Sequence, residues 1–175
     1  MSTKEALEII KKGMTTELWG QRFYEQALAR TRDETGKRVF GTLVEEEAKH
    51  LEILTGEYAA LTGGTEWVSL EEAAALASTV KPADIFPQAE AAASLIPAGA
   101  TDEQALGLAM EFEKRGYDLY KSEADKATSE QEKRLWTYLA KAEDTHFAFL
   151  DKTLEFLSTD GTWYFDEREL PFFET

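Results

Sequence analysis

The sequence contains no cysteine and few prolines. Without cysteine, its 175 residues cannot form disulfides, thiolate zinc sites, iron–sulfur clusters or a catalytic thiol. Its four prolines leave two long stretches, from about residue 3 to 62 and from about 101 to 158, free to form helices. The prolines are Pro82, Pro87, Pro97 and Pro171.

Positive charge is also scarce, because 19 lysines and arginines face 34 aspartates and glutamates, for a net charge of −15. Such a surface repels phosphate backbones and anionic lipids, so we expect neither nucleic acid nor membrane as a partner. The sequence lacks the roughly 20 consecutive apolar residues that span a bilayer. Its first residues, MSTKEALEIIKKGM, lack the apolar segment of a secretory signal. These absences predict a cytoplasmic protein.

The length fits one domain, and each proline-free stretch is broken once by a polar run, at 31–36 and at 128–130. Apolar residues recur at helical steps of three and four, or multiples of them, on both sides of each break. Each stretch therefore predicts a hairpin of two helices. The expected core positions are Leu7, Ile10, Met14, Leu18, Leu28, Phe40, Leu43, Leu54, Leu61, Leu106, Met110, Tyr117, Tyr120, Trp136, Leu139, Leu150 and Leu157.

The two predicted hairpins repeat each other at a constant shift of 96 residues. The shift carries Gly20 to Gly116 and Lys37-Arg38 to Lys133-Arg134, and it relates many further core positions. A duplicated hairpin predicts an all-α four-helix bundle with pseudo-twofold symmetry. We expect this bundle to span residues 1–158, with residues 63–100 as a long connection between its second and third helices.

Within the connection, Gly63-Gly64 is typical of a helix end, and Ser69 is typical of the start of a short helix. Another short helix is expected at residues 88–95. The tail, residues 159–175, is rich in aromatic and acidic residues and lacks helical periodicity. We favour a flap over the bundle, because aromatic area is generally buried; docking against another subunit is the alternative.

Six ionisable side chains fall on the apolar stripes, where the core is expected. The motif Glu-x-x-His occurs once in each predicted hairpin, on its second helix. The first helix of each hairpin carries a single glutamate that lies as far from the turn as the motif does. All six side chains should therefore lie at the same level along the bundle. Burying unpaired carboxylates together is costly, and two divalent cations would offset their four charges. Iron, manganese and zinc all accept such ligands. The candidate metal ligands are Glu17, Glu47, His50, Glu113, Glu143 and His146.

Other carboxylates near these positions are expected to face solvent. Glu45 and Glu46 are predicted to turn away from the motif, and Glu111 cannot share the direction of Glu113. The acids Glu71-Glu72 and Glu130 to Glu132 are typical of ordinary helix starts.

This pattern resembles the ferritin-like di-iron carboxylate proteins, and the rubrerythrin group in particular, over roughly residues 5–157. Further marks are Phe23-Tyr24, Lys37-Arg38-Val39-Phe40, Glu46-Glu47-Ala48-Lys49-His50, Ile85-Phe86-Pro87, Ala109-Met110-Glu111-Phe112-Glu113 and Glu143-Asp144-Thr145-His146.

The resemblance implies a role for each candidate ligand. Glu17 and Glu113 would each bind one metal, Glu47 and Glu143 would bridge the two metals, and His50 and His146 would each cap one. Tyr24 and Tyr120 would either donate hydrogen bonds to ligand carboxylates or serve as core residues with satisfied hydroxyls.

The sequence also departs from this group. Without cysteine there is no rubredoxin iron site, so electrons must come from an external donor. Gly116 stands where rubrerythrin has an additional carboxylate, which argues against peroxide-driven iron movement. Ala48 stands where bacterioferritin has its haem-ligating methionine, so no haem is expected.

The resemblance implies a protein that binds two iron ions and reacts with H2O2 or O2, as a peroxidase or ferroxidase. Manganese or zinc could replace iron. Iron binding without turnover, or hydroxylation of an organic substrate through an apolar channel, are the alternatives. We expect a homodimer, from the family and from the aromatic tail.

Overall fold

The computed structural model describes residues 2–79, 94–166 and 168–169. These residues form five α-helices and a short 3-10 turn, Ala77–Thr79, with no strand in the described ranges. The all-α prediction is thus confirmed for the described residues, and the packing of the helices is compatible with a helical bundle. None of the described helices has the length and apolar character that a membrane span requires. The helices are α1 (Thr3–Arg30), α2 (Glu34–Thr62), α3 (Leu70–Leu76), α4 (Asp102–Lys126) and α5 (Glu130–Asp160).

The helix ends follow local capping chemistry. Ser69 begins α3, as expected, by accepting a hydrogen bond from the backbone N–H of Glu72, whose carboxylate accepts one from the N–H of Ser69. Gly63 caps the end of α2, also as expected. Gly161, at φ 67°, ends α5 in the left-handed conformation that glycine adopts without strain. Ser2, Asp33, Thr101 and Ser129 cap the starts of α1, α2, α4 and α5.

The four long helices pack as two pairs, α1 along α2 and α4 along α5. Within each pair, residues equally far from the connecting turn face each other, so the two helices are antiparallel. The 96-residue shift of the sequence carries contacts of the first pair onto contacts of the second. Facing residues are Glu17 with His50 and Gly20 with Glu47 in the first pair, and Glu113 with His146 and Gly116 with Glu143 in the second.

Two apolar clusters lie in the bundle, and most predicted core positions belong to them as buried residues. Ile10, Leu54 and Leu139 belong to one cluster, and Phe40 and Leu106 to the other. The remaining predicted positions are partly buried against these clusters. They are Leu7, Leu18, Leu28, Met110, Tyr117 and Leu157.

Helix α3 packs on α2 so closely that only glycine fits at the crossing point. A Cβ atom on Gly56 would lie 1.6 Å from the carbonyl oxygen of Ala73. The predicted helix at 88–95 lies outside the described residues, except for Ser94 and Leu95, which are not helical. The Ile85-Phe86-Pro87 motif is also outside them.

The described part of the tail packs on the bundle, as a flap would. The Trp163 ring meets Phe40 edge-on at 5.5 Å between centroids, and the Arg38 guanidinium lies 4.4 Å from the centre of the Phe165 ring. Lys152 of α5 forms an ion pair with Glu169 at 2.8 Å. The tail thus adds aromatic packing to α2 and α5.

Candidate metal centre

The structure brings the six predicted ligands together in one fully buried layer of the bundle. Glu17 comes from α1 and Glu113 from α4, while α2 and α5 each supply a glutamate and a histidine three positions apart. Three positions is close to one helical turn, so both members of each Glu-x-x-His pair face the same way. The six residues are Glu17, Glu47, His50, Glu113, Glu143 and His146, each with 0% exposure.

The six residues form two overlapping groups of four. In each group, one donor atom per residue lies within 4.8 Å of the others. Glu17 and His50 belong only to the first group, and Glu113 and His146 only to the second. Glu47 and Glu143 belong to both. Two four-ligand groups that share two carboxylates are the arrangement that can bridge a pair of cations.

Both histidines turn the same ring nitrogen toward the carboxylates. Nδ1 of His50 lies 3.2 Å from Oε2 of Glu17, and Nδ1 of His146 lies 3.3 Å from Oε2 of Glu113. The two rings stack at 5.6 Å between centroids with 23° between their planes. Nδ1 is therefore the nitrogen available to a cation in each group.

The residues fit a pair of metal ions because several buried polar atoms lack hydrogen-bond partners. The carboxylate oxygens of Glu47 and Glu143 accept no hydrogen bond within the described residues, nor does Nε2 of His50 make one there. Unsatisfied buried polar atoms are rare and costly in folded proteins. Cations coordinated by Glu47 and Glu143 would remove most of this cost.

The pKa values of the clustered glutamates show the cost of burying these carboxylates together. Burial, followed by the nearby Glu47 carboxylate, raises the pKa of Glu17 to about 8. Burial and the charges of Glu113, Glu17 and Glu47 raise the pKa of Glu143 well above its usual range. Burial would likewise raise the pKa of Glu47, but the nearby Glu17 carboxyl and the two histidines outweigh burial and lower that pKa. The layer thus holds protons that a metal would displace.

The neighbouring carboxylates also favour protonated histidines. Burial alone would lower the pKa of His50, but Glu17 and Glu47 outweigh it and raise the pKa to about 9. The pKa of His146 is likewise raised, mainly by Glu113, against the effect of burial. Since ligands must lose these protons, metal affinity should rise with pH.

Two tyrosines link the hairpins across the layer. The Tyr24 hydroxyl donates to Oε1 of Glu113, and the Tyr120 hydroxyl donates to Oε1 of Glu17. Tyr120 also lies within 3.3 Å of the carbonyl oxygen of Gly13. Burial, then the partner carboxylate, raises the pKa of both hydroxyls well above the usual range, so both keep their protons. Each tyrosine therefore orients a glutamate of the opposite hairpin.

Glycine makes room for the two shared carboxylates. A Cβ atom on Gly116 would lie 2.6 Å from Oε2 of Glu143. A Cβ atom on Gly20 would lie 2.8 Å from the Phe112 ring and 3.4 Å from Cδ of Glu47. A carboxylate side chain at position 116 would therefore displace Glu143 from its place in the layer.

The prediction that Glu46 turns away from the site is wrong. Glu46 is 1% exposed, and its Oε2 lies 3.9 Å from Nε2 of His146. It is buried because α2 is enclosed on more than the one stripe that the apolar spacing reveals. The sequence repeat held a signal for this, since the 96-residue shift carries Glu46 to Ala142, an apolar residue that is also buried.

Two further glutamates are buried: the prediction that Glu132 is solvated is wrong, and the sequence analysis did not single out Glu57. Glu132, expected to be solvated, is 2% exposed and accepts a hydrogen bond from the Thr128 backbone N–H at 3.0 Å. Glu57 is buried beside α3 and accepts from the Val68 backbone N–H at 3.3 Å. The backbone donors explain both positions. Exposure is as expected for Glu45, Glu71, Glu72, Glu111 and Glu130.

Comparison of the chain with protein-family models, with curated proteins and with solved structures gave no match in any of the three.

Proposed function

We propose that this chain is a di-iron redox protein of the ferritin-like superfamily, in the rubrerythrin-like group, that reacts with H2O2 or O2 as a peroxidase or ferroxidase. One observation carries the proposal: two buried four-ligand groups share Glu47 and Glu143. The antiparallel pairing of α1 with α2 and of α4 with α5 supports the ferritin-like arrangement.

The donor set supports two divalent cations of the iron type. Four carboxylates carry four negative charges, which two divalent ions balance. Carboxylate oxygen and imidazole nitrogen suit iron, manganese and zinc alike, so iron is proposed from the family resemblance. In this proposal Glu17 and His50 hold one ion, Glu113 and His146 hold the other, and Glu47 and Glu143 hold both.

The surrounding residues would keep the ligands in place during turnover. When bound, a ferrous pair supplies two electrons to H2O2 or O2 and acts as a Lewis acid. Tyr24 and Tyr120 keep their protons and orient Glu113 and Glu17. The Trp136 ring stacks on Tyr120 at 5.8 Å, and Phe40 stacks on Tyr24 at 6.3 Å, which restrains both phenols.

The sequence also bears on the electron donor of the proposed reaction. The absence of cysteine implies that an external donor returns the electrons, because the chain has no rubredoxin-type site. We further propose a homodimer in the cytoplasm, without haem.

Stopped-flow mixing of the anaerobic, ferrous-loaded protein with H2O2, and separately with O2, tests the proposal. We expect oxidation faster than that of free ferrous ion, with two ferrous ions oxidised per H2O2 consumed. The Glu143→Gln variant should lose this reaction, while Glu111→Gln, which changes an exposed acid on α4, should retain it. Oxidation no faster than that of free iron contradicts the redox function. Slow, stoichiometric oxidation of the bound iron instead supports a role in iron handling.

A second candidate is hydroxylation of an apolar organic substrate, favoured by a groove beside the site. Its volume is about 290 Å³, and Phe112 lies between it and Gly20, next to Glu47. Phe112→Ala should then accelerate oxygenation of small hydrocarbons by the iron-loaded protein. Product analysis by mass spectrometry, with no oxygenated product from either protein, excludes this candidate. The groove is lined by Trp19, Phe23, Leu95, Leu108, Glu111, Phe112 and Arg115.

A further inference from the structure

The two histidines differ on the side of the ring that faces away from the shared carboxylates. Nε2 of His146 forms an ion pair with Oε2 of the buried Glu46 at 3.9 Å, a distance longer than a hydrogen bond. Nε2 of His50 makes no hydrogen bond among the described residues, and the His50 ring instead meets Tyr138 edge-on at 6.0 Å between centroids.

This difference breaks the internal symmetry of the chain. The 96-residue shift relates the six ligands and both tyrosines in identical pairs, but it carries Glu46 to Ala142. Both positions are buried, so the methyl group of Ala142 offers His50 no equivalent acceptor. A buried glutamate is costly to retain, and neither carboxylate oxygen of Glu46 accepts a hydrogen bond within the described residues. The ion pair with His146 is the contact that can offset this cost.

We propose that Glu46 is a positioning residue for His146, and that it makes the two metal positions unequal, with the cation held by Glu113 and His146 bound more tightly. The proposal rests on the proposed metal centre. It predicts which of the two positions binds its cation more tightly, although their ligands are otherwise the same.

The mechanism is the coupling between the two nitrogens of one imidazole. A carboxylate beside Nε2 keeps the proton on that nitrogen, which leaves the Nδ1 lone pair directed at the cation. It also fixes the ring orientation and makes Nδ1 a stronger donor. His50 lacks this carboxylate, so the cation itself must fix the orientation of the His50 ring. The entropy lost in fixing the ring then reduces the affinity for that cation.

Titration of the metal-free protein with Co²⁺, followed by calorimetry and by visible absorption, measures the two affinities. We expect two binding steps in the wild type. Loss of such an outer partner typically weakens a metal site about 10–100-fold. Glu46→Gln should therefore weaken the tighter step by this factor and leave the weaker step nearly unchanged, so that the two steps merge. Glu46→Ala should weaken the tighter step at least as much, and Glu46→Asp, which retains a carboxylate, should restore part of the loss.

Glu57→Gln is the matched control, because it neutralises another buried glutamate of α2 that lies away from the ligands. It should leave both Co²⁺ steps as in the wild type. Circular dichroism checks that each variant keeps its helical content. The Glu46→Gln change is nearly isosteric, so it should disturb the packing of α2 little.

A spectroscopic readout separates positioning from a general loss of packing. The Co²⁺-loaded protein should give two paramagnetically shifted imidazole N–H signals, one from each histidine, and the signal of His146 should exchange more slowly with solvent. Glu46→Gln should speed the exchange of that signal alone. Equal affinities in the wild type, or equal weakening of both steps by Glu46→Gln, overturns the inference while the metal centre stands. Absence of any Co²⁺ binding by the wild type overturns both.

Discussion

The α1–α2 hairpin and the α4–α5 hairpin carry the same candidate metal ligands but place them in different surroundings. Each contributes one lone glutamate, one Glu-x-x-His pair, and one tyrosine that bonds to the opposite hairpin. They differ at Glu46 against Ala142, and at Phe112 against its counterpart Thr16. Helix α3 also packs on α2. The comparison teaches that the sequence repeat places the six candidate ligands symmetrically, while the differences at Glu46 and Phe112 would set how equivalent the two proposed metal positions are.

The largest losses of metal affinity should come from substituting the candidate ligands, and a ligand shared by both groups should matter more than one that belongs to a single group. Glu143→Gln should lose both metals, because Glu143 belongs to both groups, and affinity should fall by roughly 100-fold or more. Glu17→Gln and Glu113→Gln should each lose mainly one metal, because each belongs to one group. Metal content per chain after equilibrium dialysis checks this ranking. Equal losses from all three variants would contradict the two-group arrangement.

The two glycines beside the shared carboxylates should differ in their tolerance of a methyl group. Gly116→Ala drives a Cβ atom against Glu143, and overpacking of this kind typically costs about 1–3 kcal/mol, so metal affinity should fall about tenfold. Gly20→Ala should cost less, because the partly exposed Phe112 ring can move aside.

Gly41→Ala and Gly107→Ala are the controls for the glycine pair, because both are helical and a Cβ atom meets nothing within 4 Å. Each should stabilise the protein by about 0.5–1 kcal/mol without changing metal affinity. Thermal unfolding and Co²⁺ titration measure the two effects. An unchanged Co²⁺ affinity in Gly116→Ala would show that metal binding does not depend on the present position of the Glu143 carboxylate.

The crossed tyrosines offer a symmetric test. Tyr24→Phe and Tyr120→Phe each remove one donor to a buried glutamate, which typically costs about 1–3 kcal/mol. We expect similar losses of metal affinity, with Tyr24→Phe affecting the position held by Glu113 and Tyr120→Phe the one held by Glu17. Co²⁺ titration of both variants and of the double variant measures this. A loss confined to one tyrosine would show that the two crossed bonds are not equivalent.

The smallest effect concerns Glu57, which lies under α3 and belongs to one hairpin only. Burial, with a further contribution from the charge of Glu72, raises the pKa of Glu57 to about 7, against 4.5 in an unfolded chain. The folded state therefore binds more protons between pH 4.5 and 7, so stability should fall as pH rises through this window. Glu57→Gln should remove this component and stabilise the protein by about 1–2 kcal/mol above pH 7. Urea unfolding of both proteins at pH 5 and pH 8 measures the difference, and an equal difference at both pH values would contradict the assignment.

The sequence predicts the helices well where local chemistry decides them. The turns near residues 32 and 128, the start at Ser69 and the end at Gly63 all depend on capping residues within a few positions. The side chains of Glu17, Glu113 and the two Glu-x-x-His pairs were expected to meet from helical spacing and the repeat, and the structure brings them together.

The positions of Glu46 and Glu57 could not be predicted from one helical stripe. Helix α2 is covered by several elements, so its buried sector is wider than the apolar spacing shows. The counterpart of Glu46 in the repeat is Ala142, an apolar residue and therefore a sequence signal of burial, whereas the counterpart of Glu57 is the polar Thr153, which carries no such signal. The buried Glu132 depends on one bond to the Thr128 backbone, which periodicity does not encode.

Anomalous X-ray scattering from crystals of the iron-loaded protein, collected at the iron edge, tests the central claim most directly. The account predicts two iron peaks per chain, both between Glu47 and Glu143, one beside His50 and the other beside His146. A single peak, no peak, or iron bound elsewhere on the chain would contradict it.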